Sequence, residues 1–431
     1  MKKALFTLVI TFLFIACSHE DAPVPFLTVT PSISSIEFSS DGKVCTSNGE
    51  IIVPSFTIAT NQKTWKVASD QDWCTVSFDK SNNIFTIIAK ENNSYTSSPE
   101  PAIVKISIAN DTSISIRVTQ KKNLHIYVAG YDVNEYFEIT PTYWVDGKSV
   151  QLSKDPGTLN DILVFDNEVH AIGRVKHGNE FDATYWKNGK EITIAHEPLI
   201  STDAKSIFRY NEDIYIAVNY NFGFGDDKPK MGYWKNGELT LYTDGSNLAI
   251  ASSIFIYNND IYIAGTYNYR DAVYWKNGER IKIDTDKQIN DISSIFVSNG
   301  DIYLLGYSTI SLTDGIIALK NGVPFFSFND YFYATDIFVS NNDVYILGLT
   351  SINGVRTASY WKNGERILLS DGTTTTYATS IYVKDNEVFV SGSQENTNST
   401  IVSVYWRNGK KVDLTDGLKK AEGNSIFAVE E

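Results

Sequence analysis

Apolar and polar residues alternate along most of this chain in short runs, and each run is broken by Asn, Asp, Gly or Ser. A two-residue period of this kind predicts half-buried β-strands joined by tight turns. One stretch shows the unit. Residues 294–297 form a short apolar run, Asn299 and Gly300 turn it, and Asp301–Tyr307 (DIYLLGY) returns as a second strand. The next two strands read most clearly at Asp271–Lys276 (DAVYWK), where Asn277 and Gly278 turn the chain back through residues 279–283. Asn-Gly between alternating runs is a strong hairpin signal, because both central residues of a type I′ turn need positive φ. The unit is therefore four antiparallel strands.

The same turn recurs at Asp146-Gly147, Asn188-Gly189, Asn236-Gly237, Asn277-Gly278, Asn321-Gly322, Asn363-Gly364 and Asn408-Gly409, which makes seven copies. Ahead of them stand Trp144, Trp186, Trp234, Trp275, Leu319, Trp361 and Trp406, spaced 41 to 48 residues apart. Four strands at that period predict propeller blades. The first repeat opens at His125 without a first strand, and residues 425–429 read as that strand. The expected ring is thus closed by the C-terminal strand, which leaves no exposed solenoid ends. The predicted fold is all-β, with a seven-bladed β-propeller of four-stranded blades over residues 124–431.

The remainder divides into three parts. Residues 1–16 read as a signal peptide, with Lys2 and Lys3 ahead of an apolar run too short to span a membrane. Phe14, Ile15, Ala16 and Cys17 resemble a bacterial lipobox, with Phe14 where Leu is usual, and imply a lipid on Cys17. Ser18, His19, Glu20 and Asp21 resemble the acidic tag of surface-exposed Bacteroidetes lipoproteins. Residues 17–27 form a lipidated tether, and residues 28–121 a domain of short strands. In that domain Trp65, Val67, Asp72, Trp73, Asn92 and Asn93, residues 103–108 and the closing Val118, Thr119 and Gln120 resemble the BACON domain, an immunoglobulin-like β-sandwich. An Arg common near the position of Pro101 is missing. Trp65 and Trp73 are expected in the sandwich core. The Trp-x-Asn-Gly units resemble HAF-type and, more loosely, Kelch-like propellers, neither of which implies a single activity.

Charge narrows the partners. The net charge is −14, or −16 once Lys2 and Lys3 are cleaved off. Nucleic acid is a poor partner for such a surface, and the membrane is met through the lipid anchor only. Cys45 and Cys74 are left either as a disulfide or as two thiols. The five histidines, His19, His125, His170, His177 and His196, show no metal-ligand spacing, and no nucleophile elbow or phosphate loop is present. Neither a cofactor nor a catalytic residue is expected.

Blades pack face to face, so the paired Tyr and Trp of each third strand are expected to be buried between blades. Binding is expected on the face with variable loops, where specificity usually sits. That face holds Tyr136, Tyr220, Phe222, Phe224, Asp226, Asp227, Tyr267, Tyr269, Arg270, Tyr331 and Tyr333. Aromatic rings beside carboxylates suit a glycan, whose C–H faces stack and whose hydroxyls bond to Asp, Asn and Arg. The sequence reads as a non-catalytic, outward-facing outer-membrane lipoprotein that binds a glycan. The alternatives are a scaffold for a surface protein in an outer-membrane complex and a glycan-cleaving enzyme.

Overall fold

The computed structural model describes residues 24–45, 51–94, 97–109, 112–196, 200–220, 228–283, 289–307, 316–328 and 334–430. Every regular element among them is a strand. The chain forms two compact units. The first takes the chain up to Glu37, Val53–Lys90 and Glu100–Thr119; the second takes Phe38–Ile52, Glu91–Pro99 and the chain from Gln120 onward.

The first unit holds two antiparallel four-stranded sheets. One runs in the order Leu27–Thr30, Ser55–Thr60, Ile84–Ala89, Cys74–Asp79, the other in the order Ser35–Phe38, Ser113–Gln120, Ala102–Ile108, Trp65–Ser69. Strict alternation puts Ala102, Val104 and Ile106 fully inside. Trp65 and Trp73 are only half-buried, which corrects their expected place in the core. Their indole N–H groups instead donate to Asn83 Oδ1 at 3.3 Å and to the Glu100 carbonyl at 3.0 Å, so each indole sits at the margin with its polar edge satisfied. Cys74 carries a free, buried thiol.

The second unit holds seven antiparallel four-stranded sheets among the described residues. The first has the order Lys148–Gln151, Ile139–Val145, His125–Val133, Ala421–Val429, so the last strand of the chain completes the sheet that opens the unit. The other six start at Gly157–Phe165, Thr202–Tyr210, Ala249–Tyr257, Asp291–Ser298, Ala334–Ser340 and Thr376–Lys384, and each continues through its next three strands in sequence order. These six innermost strands and Ala421–Val429 touch one another in a closed cycle. The architecture is a propeller-like ring.

The Asn-Gly turns work by local chemistry. At all seven, both residues have positive φ, for example 52° at Asn277 and 88° at Gly278. The Asn side chain then locks the turn to its neighbour: Asn277 Oδ1 accepts the Ile261 N–H at 2.8 Å, and its amide donates to Asp260 at 2.7 Å. Asn236, Asn321 and Asn363 repeat both bonds.

Packing happens between sheets. Each of the seven boundaries has its own buried cluster, such as Tyr215, Ile254, Ile263 and Trp275 between the third and fourth sheets. Trp275 faces that boundary, whereas its neighbour Tyr274 packs into the next one. A strand buried on both faces can be apolar at consecutive positions, and each such ring is worth roughly 1.5–3 kcal/mol or more.

Toward the axis, every innermost strand carries a one-residue bulge, at Asn160, Lys205, Ser252, Ser293, Thr335, Thr379 and Asn424. Opposite it the partner backbone passes close: a Cβ on Gly265 would lie 1.9 Å from the Ile250 carbonyl oxygen. The residue after each bulge is Asp161, Ser206, Ser253, Ser294, Asp336, Ser380 or Ser425. These groups bond across sheets. Asp161 accepts from Ser425 at 2.6 Å, from the Ile207 N–H at 2.9 Å and from Ser206. Asp336 accepts from Ser294 at 2.8 Å, from Ser380 at 3.1 Å and from the Ile381 N–H at 3.0 Å. Two residues further on, Phe208, Phe255, Phe296, Phe338, Tyr382 and Phe427 form a second belt, with consecutive ring centroids 4.4 to 5.4 Å apart.

Burial raises the Asp336 carboxyl from 3.8 to about 6, against the pull of its donors and with help from the charge on Asp161. A raised value means that the fold favours the neutral acid. Its stabilising contribution is therefore complete below about pH 4 and is lost as the pH rises through 6, a change of about 2–3 kcal/mol. Urea unfolding of wild type and Asp336→Asn should show the stability difference shifting by that amount between pH 4 and pH 7. A difference that stays constant with pH would contradict this account.

Candidate functional site

Because the strands alternate in direction, the second-to-third connections and the links between successive sheets share one end of the ring. The Asn-Gly turns lie at the other end. A cavity of about 420 Å³ runs between the third and fourth sheets from the loop-bearing end, where Asp244, Asn247 and Tyr267 lie, past Tyr242, Trp275 and Arg280 to Gly278 of an Asn-Gly turn. Tyr267 ends its strand at the loop-bearing end, and the Arg280 guanidinium lies 3.8 Å from its ring centroid. Stacking keeps the planar cation over the ring while leaving its donors in plane. Asp244 caps its own turn by accepting the Ser246 N–H at 2.9 Å, and the Ser246 bonds hold its carboxyl below the ordinary value. The cavity thus combines an aromatic face, a cation, an ionised carboxylate and an amide.

The predicted residues fare unevenly. Tyr267 lines the cavity but is half-buried beneath Arg280, so it is a packed wall and not the free platform expected of it. Tyr269 is 62% exposed with φ at 67°, and Arg270 beside it is exposed. Tyr136 is 73% exposed in the corresponding loop of the first sheet, and Tyr220 is half-buried. Phe222, Phe224, Asp226, Asp227, Tyr331, Tyr333 and the lipidation candidate Cys17 lie outside the described residues. Arg280 was missed: it stands on an outer strand 13 residues from Tyr267, with no local motif to announce it.

A second group on this end also escaped the sequence. Asp182, fully buried, accepts from His177 Nδ1 at 2.8 Å and His196 Nδ1 at 2.7 Å through the same carboxylate oxygen. Its other oxygen has no partner among the described residues. The histidines are 19 residues apart in sequence and meet only because adjacent strands of the second sheet end together. Among the described residues, no three His, Cys, Asp or Glu are arranged to hold a metal ion.

No protein-family model matches the chain, and no curated protein matches it. Several solved structures are similar at a distance. A puromycin-hydrolysing peptidase of Mycobacterium tuberculosis is 10% identical at TM-score 0.39, over 62% of this chain and 52% of that one. An acylaminoacyl peptidase is 13% identical at TM-score 0.41, over 74% and 52%. A Trypanosoma rangeli sialidase in complex with the inhibitor DANA is 12% identical at TM-score 0.30, over 76% and 57%. This chain spans about half the length of the two peptidases. All three are enzymes by name, against the expectation that this chain is not one. At such identities and scores the likeness carries no particular activity across.

The two tyrosines separate by stability. Tyr267→Ala, which strips a packed ring from beneath Arg280, should cost about 2–3 kcal/mol in urea unfolding. Tyr269→Ala should stay within about 0.5 kcal/mol of wild type. Equal losses would show that Tyr269 is packed as well.

Proposed function

We propose that the chain is a surface lipoprotein with a BACON-like, immunoglobulin-like domain followed by a seven-bladed β-propeller of the HAF/Kelch-like kind, and that the propeller binds a glycan on its loop-bearing end. The observation that carries this reading is the 420 Å³ cavity where Tyr267, Arg280, Asp244 and Asn247 converge, with Tyr269 exposed on the adjoining loop. Its size suits one or two sugar rings, and its mixture of an aromatic face with convergent donors and acceptors suits their hydroxyls and C–H faces. Cys17 would hold the protein at the outer membrane, facing outward.

A docking role for another surface protein is favoured by a different observation. On the first sheet's side of the same end, Tyr136, Phe137 and Leu418 are exposed at 73, 85 and 79%, and Leu418 borders a cavity of about 360 Å³ with Val133 and Trp144. Exposed apolar side chains of this size are enriched where proteins meet.

A glycan array probed with the chain from Ser18 onward should give saturable binding to at least one polysaccharide. Arg280→Ala and Tyr269→Ala should each weaken it about tenfold or more. Binding that survives both substitutions refutes the cavity lined by Tyr267 and Arg280 as the glycan site, and no binding on the array refutes the glycan reading; capture that depends on Phe137 and Leu418 instead would establish the docking one. For the anchor, cells fed radiolabelled palmitate should label the native chain and not Cys17→Ala. Equal labelling of the two would rule the lipid out.

A further inference from the structure

The repeat offers an internal standard against which one departure stands out. At the strand position facing the residue after each Trp, or after Leu319 in the fifth sheet, six sheets carry an aromatic ring: Tyr127, Tyr215, Tyr262, Tyr303, Tyr345 and Phe389. In four of them a lysine lies over the ring, 4.9 to 5.6 Å from its centroid, and pairs with the Asp two residues before it. The second sheet keeps the ion pair, Lys187 to Glu168 at 2.7 Å, but replaces the tyrosine with His170. There, at the end of the ring that carries the Asn-Gly turns, a cavity of about 470 Å³ opens between the second and third sheets.

His170 is 2% exposed and lines this cavity. Its Nδ1 meets the Tyr185 hydroxyl at 2.6 Å. Its Nε2 is buried and makes no hydrogen bond among the described residues; the Glu168 carboxylate faces it at 3.6 Å, beyond hydrogen-bond length. Burial, reinforced by the charge on Lys187, pushes the imidazole down to about 4, so it is neutral at pH 7. The Tyr185 hydroxyl can donate to Nδ1, which puts the proton on Nε2, or accept from it, which leaves Nε2 an acceptor; a ligand hydroxyl can bond to Nε2 in either state. A buried polar atom left without a hydrogen bond is destabilising, and a ligand hydroxyl would relieve that.

The walls indicate which ligand. Phe165 stacks on His170 at 4.2 Å, and Tyr185 and Trp234 continue the aromatic lining. At the mouth, the carboxylates of Asp166, Glu168 and Glu212 are matched by Lys187 and Arg209, which leaves a balance of one negative charge. The excess disfavours an anion, and because each of the three carboxylates already sits in an ion pair, a cation would have to displace Lys187 or Arg209. The geometry points to a second binding site, between the second and third sheets at the turn-bearing end, that takes a neutral sugar residue with its ring on the aromatic wall and a hydroxyl on His170 Nε2. It lies between a different pair of sheets from the first cavity and shares no lining residue with it.

The test is titration of the chain from Ser18 onward with glucose, galactose, mannose, xylose and N-acetylglucosamine, with glucuronate and choline as charged probes, read by the imidazole nitrogen shifts of His170 and by tryptophan fluorescence. At least one neutral sugar should saturate. His170→Tyr restores the residue found in five other sheets, and His170→Phe copies the seventh; both should fold, and both should weaken that binding about tenfold or more. Tyr269→Ala should leave it unchanged. No saturation by any neutral sugar, saturation by a charged probe alone, or binding that persists in both His170 variants would overturn the proposal. Loss of binding in Tyr269→Ala but not in the His170 variants would assign it to the loop-bearing end and likewise overturn it.

Discussion

A twisted four-stranded sheet with two apolar faces has no stable existence alone, and in this chain the condition that makes seven of them stable together is closure about a polar axis. Asp161 gathers donors from the first, second and third sheets, and Asp336 from the fifth, sixth and seventh. Each carboxylate therefore fixes three sheets at once. Ser425, which donates to Asp161, belongs to the last strand of the chain, so the bond that centres the ring also fastens its seam. Desolvation works against this arrangement, as the raised carboxyl of Asp336 shows. Serines at the five other positions supply cross-sheet bonds without adding further buried charge.

Repetition makes departures meaningful. A ring whose boundaries each carry a separate cluster can change one boundary and leave the other six packed as before. The second sheet shows this twice over. Leu163 stands where six other sheets place a ring in the axial aromatic belt, and His170 stands where they place another. At the far end of the same sheet, Asp182 holds His177 and His196. Three of the chain's five histidines thus fall in or beside one sheet of seven. Packing alone gives no reason for that concentration, because the other boundaries close with Tyr and Phe.

What the sequence made legible was local. Asn277-Gly278 and its six counterparts could be read because the type I′ turn imposes its residues directly, and the tryptophans because burial between sheets repeats with the period. The axial belt was equally present, as Ser-Ile-Phe at residues 206–208, 253–255 and 294–296, Ser-Ile-Tyr at 380–382 and Asp-Ile-Phe at 336–338. Along the chain it is indistinguishable from ordinary strand, because its meaning lies in contacts between units. Arg280 was invisible for the same reason, since nothing along the chain ties it to Tyr267. The absence of a catalytic motif was a poor ground for expecting no enzyme, because catalytic groups assembled from separate strands leave no motif to find.

The two ends of the ring differ in what they can evolve. Each Asn-Gly turn is locked by bonds to the neighbouring strand, so change there must come from side chains beneath the turns, as at His170. At the opposite end the described loops differ: Asn134 and Asn396 cap theirs by accepting backbone N–H groups of their own loops, which leaves length and residue type freer to vary. Binding at the loop end can therefore be altered by loop exchange, with aromatic residues such as Tyr269 held clear of the core. Binding at the turn end requires one ring of the repeat to be given up, and the cavity beside His170 is what remains when that happens. A closed ring tolerates such a loss because the strain of one imperfect boundary is shared by none of the others, and the same closure that hides the core keeps both ends open to solvent.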